Sequence, residues 1–379
     1  MSSAMSKFFI PGPTWVRPAI LEEMARPMIG HRGAEFRELY ARIAADLKPL
    51  FATAHDAFVM TATGTALMEA SLVNCASRRV LVTTCGAFSE RWSAIAESLG
   101  LEVDKLSVDW GQAIDPEDLA DHLVSRRAHY DAVTITHNET STGVTNDVAA
   151  LARAVRAESP DTLVLVDAVS SLAGIPLRFD EWGLDVCFAS VQKGIALPPG
   201  IALVAVSAQA LARAQKMPYR GTYFDFLNYK KHADEGGVPS TPSIPHFFAL
   251  AAQLEHILRG EGLEARWRRH EEMRETAIAR TAKFAKLAAD RAHASATVTA
   301  LAPARPPEEL RAAMRRRGFT LGGGYGKWKE TTFRIGHMGD ITMEALNAML
   351  DVLEEVAIAE GPSPRVRGEG GAEAPGEGR

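Results

Sequence analysis

Lys193 closes an apolar run in "FASVQKGIALPPG", hemmed in by small residues and a Pro-Pro-Gly turn. An ammonium is costly in apolar surroundings, so such a lysine is paired with a carboxylate, reaches out to water, or serves as a neutral nucleophile. Other residues at the ends of apolar runs could join it. Asp167 ends "TLVLVD", where a buried carboxylate needs a cation or several donors, unless it simply caps a turn. Thr63, Gly64 and Thr65 lie between the run "AFVM" and a helical pattern. Their N–H groups and hydroxyls suit a phosphate, although an ordinary capped helix start reads the same way. Phe88 follows "RVLVTTC" and is either core or a stacking platform, while His137, Asn138, Glu139 and Thr140 follow "AVTIT". Arg334 stands between Phe333 and Ile335 in "TTFRIGH", an expensive position without an anion beside it.

Singly these features are ordinary. Together they supply a phosphate cradle, an acid for a heteroaromatic nitrogen, an aromatic platform, an imine-forming amine and a carboxylate-reading guanidinium. That set meets the needs of pyridoxal phosphate. Imine formation requires a neutral amine, hence a depressed lysine pKa.

The elements that must position these residues are short apolar runs alternating with helical patterns. Strands are predicted at "AFVMTAT", "RVLVTTC", "AVTITHN", "TLVLVDAV", "VCFAS" and "IALVAVS", with spacers long enough for crossover helices. Phe36, Leu39, Tyr40, Ile43, Leu47 and Leu50 fall at helical spacing, as do Leu346, Met349, Leu350, Leu353 and Val356. The alternation predicts a mostly parallel α/β sheet covered on both faces, with its site beyond the carboxyl ends of the strands. From about Ala249 the texture changes to a charged helical stretch running to Asp290, broken near Gly260–Gly262. The strand "SATVTALA", the helix "PEELRAAMRRRG", a Gly-rich turn, the strand "TTFRIGHMG" and a last helix follow, and read as a smaller α/β domain.

The expected division is an N-terminal segment 1–17 contributing to the active site, a large domain 18–255, a small domain 256–360 and a disordered tail 361–379. The Gly/Pro/Glu-rich composition of that tail carries almost nothing apolar. A formal net charge of -5 gives no global reason to bind nucleic acid or an anionic membrane. Three cysteines without CxxC spacing, no evident signal peptide and no membrane-length apolar run point to the cytoplasm.

"PGPTWVRP", "HNETSTGV", "VDAVSSLAG", "SVQKGIALPPG" and "FRIGHMGD" together resemble the class V aminotransferases of pyridoxal-phosphate fold type I, nearest to the serine/alanine–glyoxylate (pyruvate) enzymes. The likeness runs from about Pro11 to Ala359. It implies a large domain with a mostly parallel seven-stranded sheet and a smaller C-terminal α/β domain. It also implies that Lys193 is the Schiff-base lysine and proton carrier, that Asp167 pairs with the ring nitrogen and that Phe88 stacks on the ring. Thr63, Gly64, Thr65 and Gln192 would bind the phosphate, and Thr140 would approach the phenolic oxygen. Arg334 would grip the substrate carboxylate, with Gly12, His31 and Arg32 also on the substrate side. Thr241 would reach the cofactor of a neighbouring subunit, which implies a homodimer. Two positions depart from the pattern: Thr65 stands where some relatives have histidine, and Val238 where some have tyrosine.

Within that resemblance, desulfurase chemistry is disfavoured, because Cys75, Cys85 and Cys187 all precede Lys193 and its neighbour is Gln192. The expected activity is a ping-pong transfer from alanine or serine to glyoxylate or pyruvate. Phosphoserine and 2-aminoethylphosphonate aminotransferases are the alternatives, since Gly30-His31-Arg32 could meet a phosphate. A non-catalytic dimeric scaffold of the same fold is the alternative of another class.

Overall fold

The computed structural model describes residues 7–126 and 128–359. Its larger sheet has seven strands: β1 (Asp56–Met60), β2 (Arg79–Thr84), β3 (Glu102–Ser107), β4 (Ala132–Thr136), β5 (Leu163–Asp167), β6 (Val186–Ser190) and β7 (Ala202–Val206). Their spatial order is β1-β7-β6-β5-β4-β2-β3. Only β7 runs against its neighbours; the other ladders are parallel. Strands β4 to β7 are buried along their whole length, as continuous Val/Ile/Leu-rich runs require when helices cover both faces. The chain leaves β1, crosses to β2 and β3, then returns through β4 toward β1. The order therefore reverses between β2 and β4, which is where a crevice opens in such sheets.

Six of these strands match the apolar runs in the sequence. The seventh, β3, has the composition EVDKLS and is partly exposed along its length. An edge strand carries charge because one side faces water, so it lacks the apolar signature of its neighbours. Helix Ala34–Phe51 buries Phe36, Leu39, Tyr40, Ile43, Leu47 and Leu50 against one face of the sheet. Trp92, Phe58 and Phe188 belong to the core on the other face.

A second sheet contains β8 (Ala285–Leu287), β9 (Val298–Pro303), β10 (Thr320–Gly323) and β11 (Phe333–Gly336). Its fifth strand is Phe8–Phe9, which pairs in parallel with Thr320 and Leu321. Helices Leu263–Thr281, Pro307–Arg316 and Met343–Ala359 supply its core partners, among them Met273, Met314 and Leu350. The charged helical stretch breaks where the sequence implies, with a π-helical turn at His256–Glu261 before Gly262 (φ +82°). Its end is a correction to the sequence reading. The helix stops at Thr281, and residues 285–287 pair antiparallel with β9 instead of continuing the helix. Ladder bonds formed with β9 outweigh the helix preference of alanine and lysine there. The tail 361–379 lies outside the described residues.

The two sheets and the N-terminal segment meet at one buried carboxylate. Asp340 accepts from Arg17 Nε at 2.6 Å, Arg266 Nη2 at 2.8 Å and Gln253 Nε2 at 3.0 Å. Arg266, fully buried, also donates to the carbonyl of Gly194 at 2.8 Å and to Glu261 at 2.7 Å. Burial alone would push the Asp340 carboxyl up. Arg266, Gln253 and Arg17 outweigh that and hold it down at about 2. A carboxyl depressed in the folded state stabilises fully above its unfolded pKa, near 3.8, and loses that contribution as pH falls toward 2. Asp340→Ala removes one of the two carboxylates that buried Arg266 meets, leaving Glu261 and the Gly194 carbonyl, and is expected to cost about 3 kcal/mol. Chemical denaturation at neutral pH reads this, and the deficit should shrink below pH 4. A loss under about 1 kcal/mol would refute the network's importance.

Candidate active site

Lys193 follows β6 on a turn enforced from both sides. A Cβ on Gly194 would stand 2.2 Å from the carbonyl oxygen of Leu172, so only glycine lets the chain pass. Thr14 donates from its N–H to Gln192 O at 3.0 Å and from its hydroxyl to Lys193 O at 3.2 Å. The N-terminal segment thus clasps the lysine turn. Lys193 Nζ donates to the carbonyl of Pro11. Gly12 (φ +112°) touches the lysine side chain so closely that a Cβ there would lie 2.5 Å from Nζ. Burial, and secondarily the charge of Arg334, lower the Lys193 amine to about 8; Asp167 opposes them.

Asp167 ends β5 and is buried. Val169 N–H donates to its Oδ1 at 2.7 Å, and no other hydrogen bond among the described residues reaches the carboxylate. Burial raises it to about 7. A strand-end acid so poorly partnered has capacity for a cationic nitrogen. Helix Gly64–Cys75 begins beside it: Thr63 caps the helix by accepting from Ala66 N–H at 3.2 Å, and Leu67 N–H bonds Thr63 O. The N–H groups of Gly64 and Thr65 have no acceptor among the described residues, which leaves donors for an anion. Gly64 packs so tightly that a Cβ would meet Val169 at 2.6 Å. These features fit pyridoxal phosphate: donors for its phosphate, an acid for its ring nitrogen and an amine of lowered pKa for its aldehyde.

Phe88 lies in the first turn of helix Ala87–Ser98, whose N-terminus is capped by a residue of the segment that follows β4. Glu139 accepts from Phe88 N–H at 3.0 Å, Ser89 N–H at 2.8 Å and Ser141 Oγ at 2.6 Å. A buried carboxylate on a helix N-terminus is favourable, and here it fixes where the Phe88 ring stands. Sequence reading noted Glu139 without a use for it. It also missed Arg91, one helical turn after Phe88, which donates to Thr65 Oγ1 at 2.9 Å and lies over the Phe88 ring at 4.9 Å. The i, i+3 spacing from Phe88 was the available signal.

Arg334 enters from β11. Its Nε donates to Gly323 O at 2.7 Å and its Nη1 to Thr140 O at 2.9 Å. Both acceptors are neutral carbonyls, and no carboxylate among the described residues pairs with it. Thr140 meets the cleft through this carbonyl. Gln192 is held through its backbone, and among the described residues its side chain makes no hydrogen bond to the phosphate cradle. His31 and Arg32 are not brought to this cleft. They line a cavity of about 250 Å³ with Arg37, His232 and Val238, ahead of the exposed Thr241.

The fold and this cleft define a pyridoxal-phosphate-dependent transaminase of fold type I. The sequence model of the family described as aminotransferase class-V matches residues 21–313, well over half of the chain, and the protein belongs to that family. It is 38% identical over 353 residues to the Synechococcus protein named soluble hydrogenase, small subunit, covering 92% of this chain and 91% of that one. It is 33% identical to the serine–glyoxylate aminotransferase of Methylorubrum extorquens, covering 88% and 86%. The aspartate aminotransferase of subgroup IV from Thermus thermophilus superposes with a TM-score of 0.85 at 32% identity, covering 93% of this chain and all of that one. Among the described residues no helix is long and apolar enough to cross a membrane.

Because a protonated lysine cannot attack an aldehyde, covalent capture of added pyridoxal phosphate by cofactor-free protein should accelerate as pH rises and level off above about 8. Stopped-flow absorbance measures it. A rate independent of pH would overturn the assignment of Lys193 as the attacking amine.

Proposed function

We propose that this enzyme moves an amino group from a small amino acid, alanine or serine, to glyoxylate or pyruvate in two successive half-reactions at one site. The observation that carries the reading is Arg334: a buried guanidinium in the cleft whose hydrogen bonds, among the described residues, all go to carbonyls. A carboxylate, taken bidentately, satisfies it better than either neutral oxygen. Burial lowers Arg334 to about 10, so it remains charged at neutral pH. The serine–glyoxylate and alanine–glyoxylate names of relatives from Methylorubrum extorquens and Saccharomyces cerevisiae support the substrate class.

Pyridoxal phosphate, when bound, supplies an aldehyde for the amino group and a ring that draws electrons from the breaking bond. Lys193 would hold it and then, released as a free amine of lowered pKa, take the α-proton and return it. Asp167 would keep the ring nitrogen protonated, and Phe88 would support one face. Gly64 and Thr65 N–H, with Thr63, Gln192 and Arg91, would hold the phosphate. Gly12 would leave room beside the lysine for substrate.

The reading includes a homodimer in which Thr241, exposed in the single chain, reaches the second copy's phosphate site. Free, buried Cys75, Cys85 and Cys187 support a reducing, cytoplasmic setting. A second reading, a phosphorylated donor such as phosphoserine, draws support from His31, Arg32, Arg37 and His232 sharing one cavity. It requires that cavity to face the cleft of a second copy.

Spectral half-reactions with alanine, serine, aspartate, phosphoserine and aminoethylphosphonate separate these readings. Alanine or serine should discharge the cofactor colour fastest; phosphoserine doing so would favour the second reading. Lys193→Ala should abolish turnover, and Asp167→Asn should lower kcat by roughly 10²-fold or more. Arg334→Ala should raise KM for both the amino acid and the oxo acid, and an unchanged KM would remove it from carboxylate binding.

A further inference from the structure

The loop between β10 and β11 projects one aromatic side chain into the cleft, and sequence reading assigned it nothing. Tyr325 stacks on Phe88 with ring centroids 5.1 Å apart and planes inclined by 19°. The guanidinium carbon of Arg334 lies 5.6 Å from its ring centre, and its hydroxyl stands 3.5 Å from Arg91 Nη2. The ring therefore lies between the residue placed to support the cofactor and the one placed to take a carboxylate. A carboxylate taken by Arg334 would therefore lie close to this ring, and the substrate's Cα one bond further on.

The backbone carrying Tyr325 is firmly held. Gly324 N–H donates to Thr332 O at 2.9 Å, and a Cβ on Gly324 would lie 2.1 Å from Trp328 O. Gly326 (φ +52°) sits against Trp110, which Trp328 meets edge-on at 5.6 Å. Lys327 lies over the Trp110 ring at 5.2 Å and reaches Glu90 at 3.4 Å. Tyr325 is nonetheless 39% exposed. A fixed backbone with the ring stacked on Phe88 is suited to set a size limit, since the wall cannot retreat by loop movement.

We propose that Tyr325 is a specificity-determining residue that restricts the amino donor to short side chains by occupying the volume beyond the substrate's Cα. The inference rests on the small-donor reading above and gives it a physical cause. Removing the ring opens the cleft to larger donors; keeping the ring without its hydroxyl leaves selection in place.

The test is steady-state kcat/KM of the holoenzyme for alanine, serine, methionine and phenylalanine with glyoxylate, in wild type, Tyr325→Ala, Tyr325→Phe and Tyr325→Trp. Tyr325→Ala should raise the phenylalanine-to-alanine ratio by about tenfold or more. Tyr325→Phe should keep the wild-type ratio. Tyr325→Trp should lower the serine-to-alanine ratio, and it reports even where the alanine variant fails to fold. A wild type that takes phenylalanine as readily as alanine overturns the small-donor reading and the inference with it. A wild type that prefers small donors, with ratios unmoved in all three variants, overturns the inference alone.

Discussion

Asp340 is withdrawn from water and bonded at once to Arg17, Gln253 and Arg266, and the position of Lys193 depends on it. Arg266 spends another donor on the carbonyl of Gly194, the residue after Lys193. The N-terminal segment, the helix Ile244–Glu255, the helix Leu263–Thr281 and the loop after β11 are thereby tied to one turn. Buried ion pairs seldom add much net stability over apolar packing, but a broken one is expensive. Their value here is positional: four chain segments cannot shift independently without stranding a charge.

The electrostatics of the cleft follow from the same exclusion of water. Burial drives Lys193 down toward neutrality and Asp167 up toward protonation, so each departs from its usual state in the direction that costs least. Neither has the partner that would restore it. Arg334 is left with carbonyls and the helix start at Gly64 with free N–H groups. A cleft with an amine, an acid, a guanidinium and helix-start N–H donors suits a phosphorylated heteroaromatic aldehyde and a carboxylate. Glu139 shows the contrasting case, a buried carboxylate fully used in capping the Phe88 helix.

Much of this was legible from residue order. Lys193, Asp167 and Arg334 stand out because each interrupts or ends an apolar run, where a charge must have a reason. Six strands were visible for the same cause, whereas β3 was hidden by its edge charges. The turn of β8 out of a helical pattern was illegible, because its pairing partner β9 decides it. Arg91 and Tyr325 escaped notice because an arginine on a helix and a tyrosine in a glycine-rich loop are ordinary until their neighbours are known.

What the sequence determined by itself was the chemistry: which groups can attack, accept a proton or bind an anion, and that they cluster at strand ends. That follows from side-chain identity and from local periodicity, both of which are properties of short stretches. Only the tertiary structure decided which of them share a cleft. It brought Arg334 on the second sheet, and Tyr325 on the loop before it, to Phe88 on the helix after β2, and left His31 and Arg32 in another cavity. Proximity between residues so distant in the chain is set by how two sheets pack. Packing depends on the whole core, which no single stretch of sequence contains.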